Sequence, residues 1–398
     1  MHLAIVTPFP PTVTGIGQYG YHISAALART SAFRRITVLS EMTPGAGALQ
    51  AVNGLTVERV WRSNRADAGW KIARRLQRLE PDLVWFNLGF SAFGRSPLAN
   101  ISGLLSPLAA KGIGLRQVVT LHELLEAADL RELNAPGGAL TGWVVRFFMA
   151  LLVGHADVLC VTLKQHATSL TAGWPHRHVV HIPIGAADAP EVLAQPEDPE
   201  LLFFASQAPF KGLELLLDAF AELRAEYPAL RLTVAGAEHP RFPGYVRRTR
   251  SAYRDNPGVR WLGYVPESGL RDVFARATIV VLPYAVATGA SSVLYRAATW
   301  GRPIVVSDLP KLRATVEEVG LQALFFRGAD RSDLVATVRR LLSTPAMQAH
   351  QASHNLSVMR RMTSDETCRA YMTAFDLALS AGPDYLRPPL ILHQSARR

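Results

Sequence analysis

At 398 residues the chain exceeds one ordinary hydrophobic core, and two domains are expected. Hydrophobic residues make up 49% and charged residues 19%, with no low-complexity tract, which excludes disorder except at the ends. The formal charge of +10 at pH 7 favours acidic partners: nucleic acid, anionic lipid headgroups or phosphorylated small molecules.

The chain opens on a strand, "HLAIVTPFPP", with no basic n-region and no cleavage site, so no export signal is expected. In "PFPPTVTGIGQYGYHISAALAR" the strand ends at Thr7, and Gly15-Ile-Gly17 leads into a helix beginning near Gln18. Glycines allow close backbone approach, and a helix N-terminus offers free N–H groups. The spacing is not GxGxxG, so the loop is either a plain turn or a phosphate or substrate contact.

Short β-branched runs then alternate with helical patterns. "RITVLS", "DLVWFN", "QVVTLH" and "ADVLCVT" continue the first half; "ELLFFAS", "LRLTVAG", "VRWLGYV", "TIVVLP" and "PIVVSD" form the second. Near-continuous apolar strands alternating with helices indicate parallel sheets covered on both faces. Two such series make two doubly wound, Rossmann-like domains facing across a cleft, where ligands of open α/β sheets bind. The expected boundaries are 1–185 for the first domain, 186–200 for a linker, 201–355 for the second domain, and 356–398 for a helix packing back on the first domain plus an irregular tail. The linker reading rests on "HIPIGAADAPEVLAQPEDPE"; the last helix starts at Thr363 or Ser364, with Glu366 close behind.

Within this frame, "WKIARRLQRLE" places Trp70, Ile72, Leu76 and Leu79 towards an apolar face beside Lys71, Arg74, Arg75 and Arg78. "RFPGYVRRTRSAYRD" adds Arg241, Arg247, Arg248, Arg250 and Arg254. Such stretches are solvated faces or membrane-surface helices. "VVTLHELLEAADL" sets His122 just past a strand end, either structural or donating a hydrogen bond to a substrate, with Glu123 and Glu126 nearby. The apolar run in "WVVRFFMALLVGHADVLC", Phe147 to Gly154, is far shorter than the roughly 20 residues a spanning helix needs. Cys160 and Cys368 lack CxxC or zinc spacing and read as reduced structural thiols of a cytoplasmic protein.

In "LLFFASQAPFKGLELLLDAFAEL", Lys211-Gly212 opens a helix whose stripe is Leu215, Leu216, Ala219 and Leu223. A lysine at a helix N-terminus opposes the macrodipole unless an anion sits there. In "ATIVVLPYAVATGASSVLYRAATWGRPIVVSD", Gly289, Ala290, Ser291 and Ser292 enter a helix that turns Val293, Leu294 and Ala297 inward. Free N–H groups and two hydroxyls suit a phosphate, or are ordinary capping; together with Lys211 they favour a diphosphate. No RNP, KH or zinc-finger pattern is present and the basic residues are not interleaved with stacking aromatics, so nucleic acid is not an expected partner.

Taken in order, "IVTPFPPTVTGIGQYGYHISAAL", "APFKGLELLLDAFAEL", "LRLTVAGAEH", "VRWLGYVPESGLRDVFARATIVVLPY" and "GRPIVVSDLP" resemble the family 4 glycosyltransferases (glycosyltransferase group 1) of the GT-B fold. The resemblance implies transfer of a hexose from a nucleotide-diphosphate sugar to a hydroxyl acceptor, retaining and without metal or other cofactor. It implies that Lys211 contacts the donor phosphates, Gly289–Ser292 lies at the diphosphate, Gly15–Gly17 closes over the site, and His122 approaches the donor sugar. Lys211 and His122 are then the catalytic candidates. A pathway of polysaccharide or glycoconjugate assembly is implied too, with a sugar or lipid-linked glycan acceptor and an anionic membrane surface on the cytoplasmic side as companions. The departures are specific: Thr288 and Arg296 stand where the family carries two glutamates, at the donor sugar and the ribose, and Ser206 where it carries an arginine. A protein that binds sugar nucleotide without transfer is the alternative.

Overall fold

In a computed structural model, residues 1–12, 14–124, 147, 150–186 and 189–380 are described. Glu126, most of "WVVRFFMALLV" and the tail from 381 lie outside them.

The first sheet has eight strands: β1 (His2–Val6), β2 (Arg35–Glu41), β3 (Leu49–Val52), β4 (Leu55–Trp61), β5 (Leu83–Leu88), β6 (Gln117–Leu121), β7 (Val158–Val161) and β8 (Val179–His181). Their order is β3-β4-β2-β1-β5-β6-β7-β8, parallel except for the β3–β4 hairpin. Period-two alternation sends Leu3, Ile5 and Trp85 to one face and Ala4, Val6, Val84 and Phe86 to the other, all fully buried. Both faces are apolar because helices cover both. Gly15–Arg29 and Ser364–Ser380 pack on the Leu3 side, whereas Ala68–Leu79 buries Ile72 and Leu76 on the Ala4 side.

The second sheet holds β9 (Glu200–Phe204), β10 (Arg231–Ala235), β11 (Val259–Gly263), β12 (Ile279–Leu282), β13 (Ile304–Ser307) and β14 (Leu324–Phe326), all parallel, in the order β11-β10-β9-β12-β13-β14. The helix Leu213–Glu226 buries Leu213, Leu216, Leu217, Ala219, Phe220 and Leu223 against it, while Leu215 is only partly buried. Strand order reverses between β1 and β5 in the first sheet and between β9 and β12 in the second, so each has a crevice at that switch point.

The chain passes between the sheets twice, and the two crossings are joined: Ala186 N–H donates to Met362 O at 2.7 Å. Glu318 of the second domain binds the first. Its carboxylate accepts from Lys164 N at 2.6 Å and Gln165 N at 2.9 Å, the first residues of helix Lys164–Gly173. Leu163, at that helix's N-cap, makes no side-chain capping bond, so the cap comes from the other domain. Cys160 and Cys368 are both buried and unpaired.

Trp70 corrects the amphipathic reading of "WKIARRLQRLE". It lies two residues from Ile72, hence on another side of the helix. Its side chain is 59% exposed, with the Arg74 guanidinium 5.1 Å from its ring. None of the helices among the described residues is long and apolar enough to cross a membrane.

Candidate active site between the two sheets

The two switch points face one another, and backbone contact joins them: Glu123, just past β6, forms an antiparallel bridge with Gly289, in the loop after β12. Glycine is required at 289 by space, since a Cβ there would stand 2.5 Å from His122 O. Thr288 Oγ1 donates to Glu123 Oε1 at 3.4 Å. His122, Glu123, Thr288 and Gly289 are therefore one cluster drawn from both domains.

Lys211 sits on the second-domain side. After β9 the chain makes a 3-10 turn, Pro209–Lys211, and Gly212 takes φ +69° before the helix starts. A Cβ at Gly212 would strike Pro283 O, so glycine lets the lysine turn press against the end of β12. The ammonium lies 3.8 Å from the Tyr284 ring centroid and 5.5 Å from Phe210. Burial lowers its pKa from 10.5 to about 8, opposed by the Glu123 carboxylate. Phe210, His239 and Phe242 form an aromatic group alongside, with centroids 5.6–5.7 Å apart. His239 is held neutral, its pKa lowered to about 4 by burial first and by Arg241, Lys211 and Arg95 after it.

The loop of Gly289, Ala290, Ser291 and Ser292 leads into the helix Ser292–Thr299. Ser291 occupies the N-cap, yet its side chain makes no capping bond, and the Tyr284 hydroxyl engages it instead. The first-turn N–H groups therefore lack the side-chain acceptor that a serine there usually supplies.

On the first-domain side the helix starts at Gly15, earlier than the sequence indicated, because Thr14 caps it by accepting from Gly17 N at 3.0 Å. Gly17 is also packed: a Cβ there would meet Thr14 Oγ1 at 2.9 Å and Pro8 O at 3.2 Å, whereas Gly15 faces open space. Between them, Ile16 O accepts from Asn87 Nδ2 at 3.0 Å, and Asn87 Oδ1 lies 2.6 Å from His122 Nε2. The glycine turn and His122 thus share a partner. Tyr19 packs edge-on against the imidazole with centroids 4.8 Å apart; its hydroxyl donates to Tyr371 OH at 3.0 Å, and Tyr371 OH in turn lies 3.0 Å from Thr120 Oγ1. Burial lowers the His122 pKa to about 4, so the ring is neutral near pH 7.

Arg296 is placed apart from the lysine cluster. It pairs with Glu267 at 2.8 Å, and His22 of the first domain stands 4.0 Å from the same carboxylate. No group of three or more His, Cys, Asp or Glu side chains suited to a metal occurs among the described residues.

Sequence reasoning passed over Asn87, Tyr19, Tyr284 and Glu267. Asn87 had a visible signal: a polar side chain near the carboxyl end of an otherwise apolar strand, "DLVWFN", where the switch point opens. Tyr371 had none: a helix packing back on the first domain was expected, but not which of its side chains would meet Tyr19 and Thr120.

Two facing doubly wound domains with paired loops at their switch points define a GT-B glycosyltransferase. Residues 14–185 match the glycosyl transferase 4-like domain, and residues 198–344 match the glycosyl transferases group 1 family. The chain belongs to the group 1 glycosyltransferases. It is 25% identical over 403 aligned positions to glycogen synthase of Mycobacterium tuberculosis, covering 94% of this chain and 92% of the relative. It is 28% identical over 198 residues to D-inositol 3-phosphate glycosyltransferase of a Nocardioides species, where the match spans 46% of this chain and only 43% of the relative. Among solved structures, Anabaena HepE in complex with UDP and glucose superposes with TM-score 0.71 at 15% identity, over 94% of this chain and 99% of that one.

Proposed function

We propose that the chain transfers a hexose from a nucleotide-diphosphate sugar to a hydroxyl acceptor, with retention and without a metal, in polysaccharide or glycoconjugate assembly. The carrying observation is Lys211: a cation held against Tyr284, its pKa depressed by burial and raised again by Glu123, whose backbone bridges to Gly289. A desolvated cation is a poor arrangement alone and a good one beside an anion. The HepE complex, which holds UDP and glucose on the same fold, supports a nucleoside diphosphate as that anion.

The mechanism follows from charge. As the glycosyl–oxygen bond breaks, negative charge grows on the leaving phosphate. Lys211 and the first-turn N–H groups after Ser291 stabilise that charge from fixed positions. The leaving phosphate oxygen then accepts the proton of the incoming hydroxyl on the same face of the sugar, so no protein nucleophile is needed. His122, neutral and wedged against Tyr19, holds the donor sugar; Gly15 and Gly17 border it from the first domain; Thr288 and Glu123 close the other side. The division at 1–185, 186–200, 201–355 and 356–398 goes with this reading, donor to the second domain and acceptor to the first.

Arg296 favours the second reading, a protein that binds sugar nucleotide without transfer, because an arginine already paired with Glu267, and not a carboxylate free for the ribose, stands at that position. We also place the protein on the cytoplasmic side, with a sugar or lipid-linked glycan acceptor, at an anionic membrane surface. That surface is met by Leu49, 65% exposed, Trp70, Arg74 and Arg78, which line an open depression of about 550 Å³.

The test is turnover of UDP-, GDP- and ADP-hexoses by the protein and by Lys211→Ala, with and without a chelator. Selective release of one nucleotide, lost in the variant and indifferent to the chelator, is the expected result. Tight donor binding with no release under any acceptor would establish the second reading.

A further inference from the structure

The hydrogen bonds behind His122 leave one arrangement of protons. Thr7 Oγ1 donates to Pro8 O at 2.9 Å, so it accepts from Asn87 Nδ2, also at 2.9 Å. The second N–H of that amide goes to Ile16 O at 3.0 Å. Both amide donors are spent on acceptors, and Asn87 Oδ1 faces His122 Nε2 at 2.6 Å. Rotating the amide by half a turn would set Oδ1 against the Ile16 carbonyl oxygen, two acceptors facing each other. Asn87 is completely buried, so no water relieves such a clash. His122 Nε2 must therefore carry the hydrogen. A neutral imidazole has a single N–H, which leaves Nδ1 with a lone pair and with no partner among the described residues.

We propose that Asn87 is a positioning residue that fixes His122 as its Nε2–H tautomer, so that Nδ1 accepts a hydrogen bond in the cleft, and that the donor sugar meets it with a hydroxyl. This is the reverse of the donating histidine expected from the sequence. It also selects a substrate class. A neutral hexose satisfies Nδ1, whereas a hexuronate carboxylate or a second phosphate at that point sets anion against lone pair. Tyr19, packed edge-on from its own helix, fixes the ring plane without charge. Glu123 is the neighbouring acid along the chain, and it reinforces the refusal of an anionic sugar.

The donor-class consequence rests on the transferase reading; the tautomer does not, and the two are tested separately. The whole protein labelled with ¹⁵N in its histidine rings, with His122→Ala for assignment, reports the tautomer by two-bond ¹H–¹⁵N correlation without substrate. The expected result from about pH 6 to about pH 8 is a bare Nδ1 and a protonated Nε2. A protonated Nδ1 over that range would overturn the proposal. Asn87→Asp keeps the acceptor at Nε2 but adds a charge that draws a second proton to Nδ1. The acid limb of kcat/KM should move upward towards neutrality, whereas loss of packing alone would lower activity equally at every pH. With the nucleotide held constant, a hexose donor should exceed the matching hexuronate donor by at least about tenfold in kcat/KM. Equal use of the hexuronate would refute the selection, and absence of turnover with any donor would refute the transferase reading while the nuclear magnetic resonance result stood.

Discussion

Replacing Lys211 separates binding from stability more sharply than any other change in the site. In the free protein the ammonium gains from the Tyr284 face, roughly 0.5–2 kcal/mol for such a contact. Burial works against it, as the drop in its pKa from 10.5 to about 8 shows. These terms oppose one another, so Lys211→Met, which keeps the aliphatic packing, should move Tm by no more than about 4 °C in either direction. Donor binding loses a charged hydrogen bond of about 1.5–3 kcal/mol, or roughly 10- to 150-fold in Kd. The chemical step should lose a further ~100- to 1,000-fold in kcat, the usual cost of removing a fixed charge from a developing anion. Calorimetric titration with the nucleotide sugar, beside a thermal melt, reads both quantities. An unchanged donor Kd in a folded variant would refute the assignment, and so would a large fall in Tm that accounts for the lost binding.

Because the Lys211 pKa is depressed, its charge disappears early as pH rises. Donor affinity should fall through about pH 8, and kcat should hold to higher pH than kcat/KM because bound phosphate raises the lysine pKa. An affinity flat to pH 10 would contradict this. The same shift has a stability sign: between about 8 and 10.5 the unfolded chain binds more protons at this lysine, so its contribution to stability rises with pH there. Glu318→Ala removes a helix cap that spans the domains, about 0.5–2 kcal/mol, and should open the cleft, seen as a larger radius of gyration in solution scattering and a higher donor KM. If neither changes, closure does not depend on that carboxylate. Sedimentation with anionic liposomes should retain the protein at low salt and release it at high salt, and Trp70→Ala with Arg74→Ala should weaken retention; failure to bind at low salt removes the membrane reading.

Ten of the fourteen strands among the described residues were legible from apolar runs, nine of them central strands covered on both faces that carry hardly any polar residues. The four others hid for physical reasons. β4, "LTVERVW", carries Glu58 and Arg59 in its middle; β3 is a half-exposed edge; β8 and β14 are only three residues long. At the candidate site, Lys211 stood out in the sequence because a cation at a helix start opposes the helix dipole, whereas the serine-rich entry after Gly289 looked the same as ordinary capping and drew notice only beside the lysine. His122 was readable as a position, but its chemistry was not. Which ring nitrogen holds the proton depends on Asn87, Thr7, Pro8 and Ile16, brought together by strand order and not by spacing. Arg296 shows the same dependence, since its partner Glu267 belongs to a helix 29 residues earlier.

The helix Ser364–Ser380 has a consequence for the order in which the molecule is made. It packs Tyr371 and Phe375 onto Trp85 and joins the core of Leu3 and Ile5. The second sheet and its helices run contiguously from Glu200 to Met359, whereas the first sheet, synthesised earlier, waits for the helix Ser364–Ser380 to complete the cover that Gly15–Arg29 begins on one of its faces. The usual rule that the amino-terminal unit completes folding first on the ribosome is thereby inverted. A nascent chain stopped before Ser364 would carry a finished second domain and a first-domain face covered only in part, by the helix Gly15–Arg29. Tyr371 also backs Tyr19, and through it the His122 ring, so one wall of that histidine is put in place only after the second domain has been made.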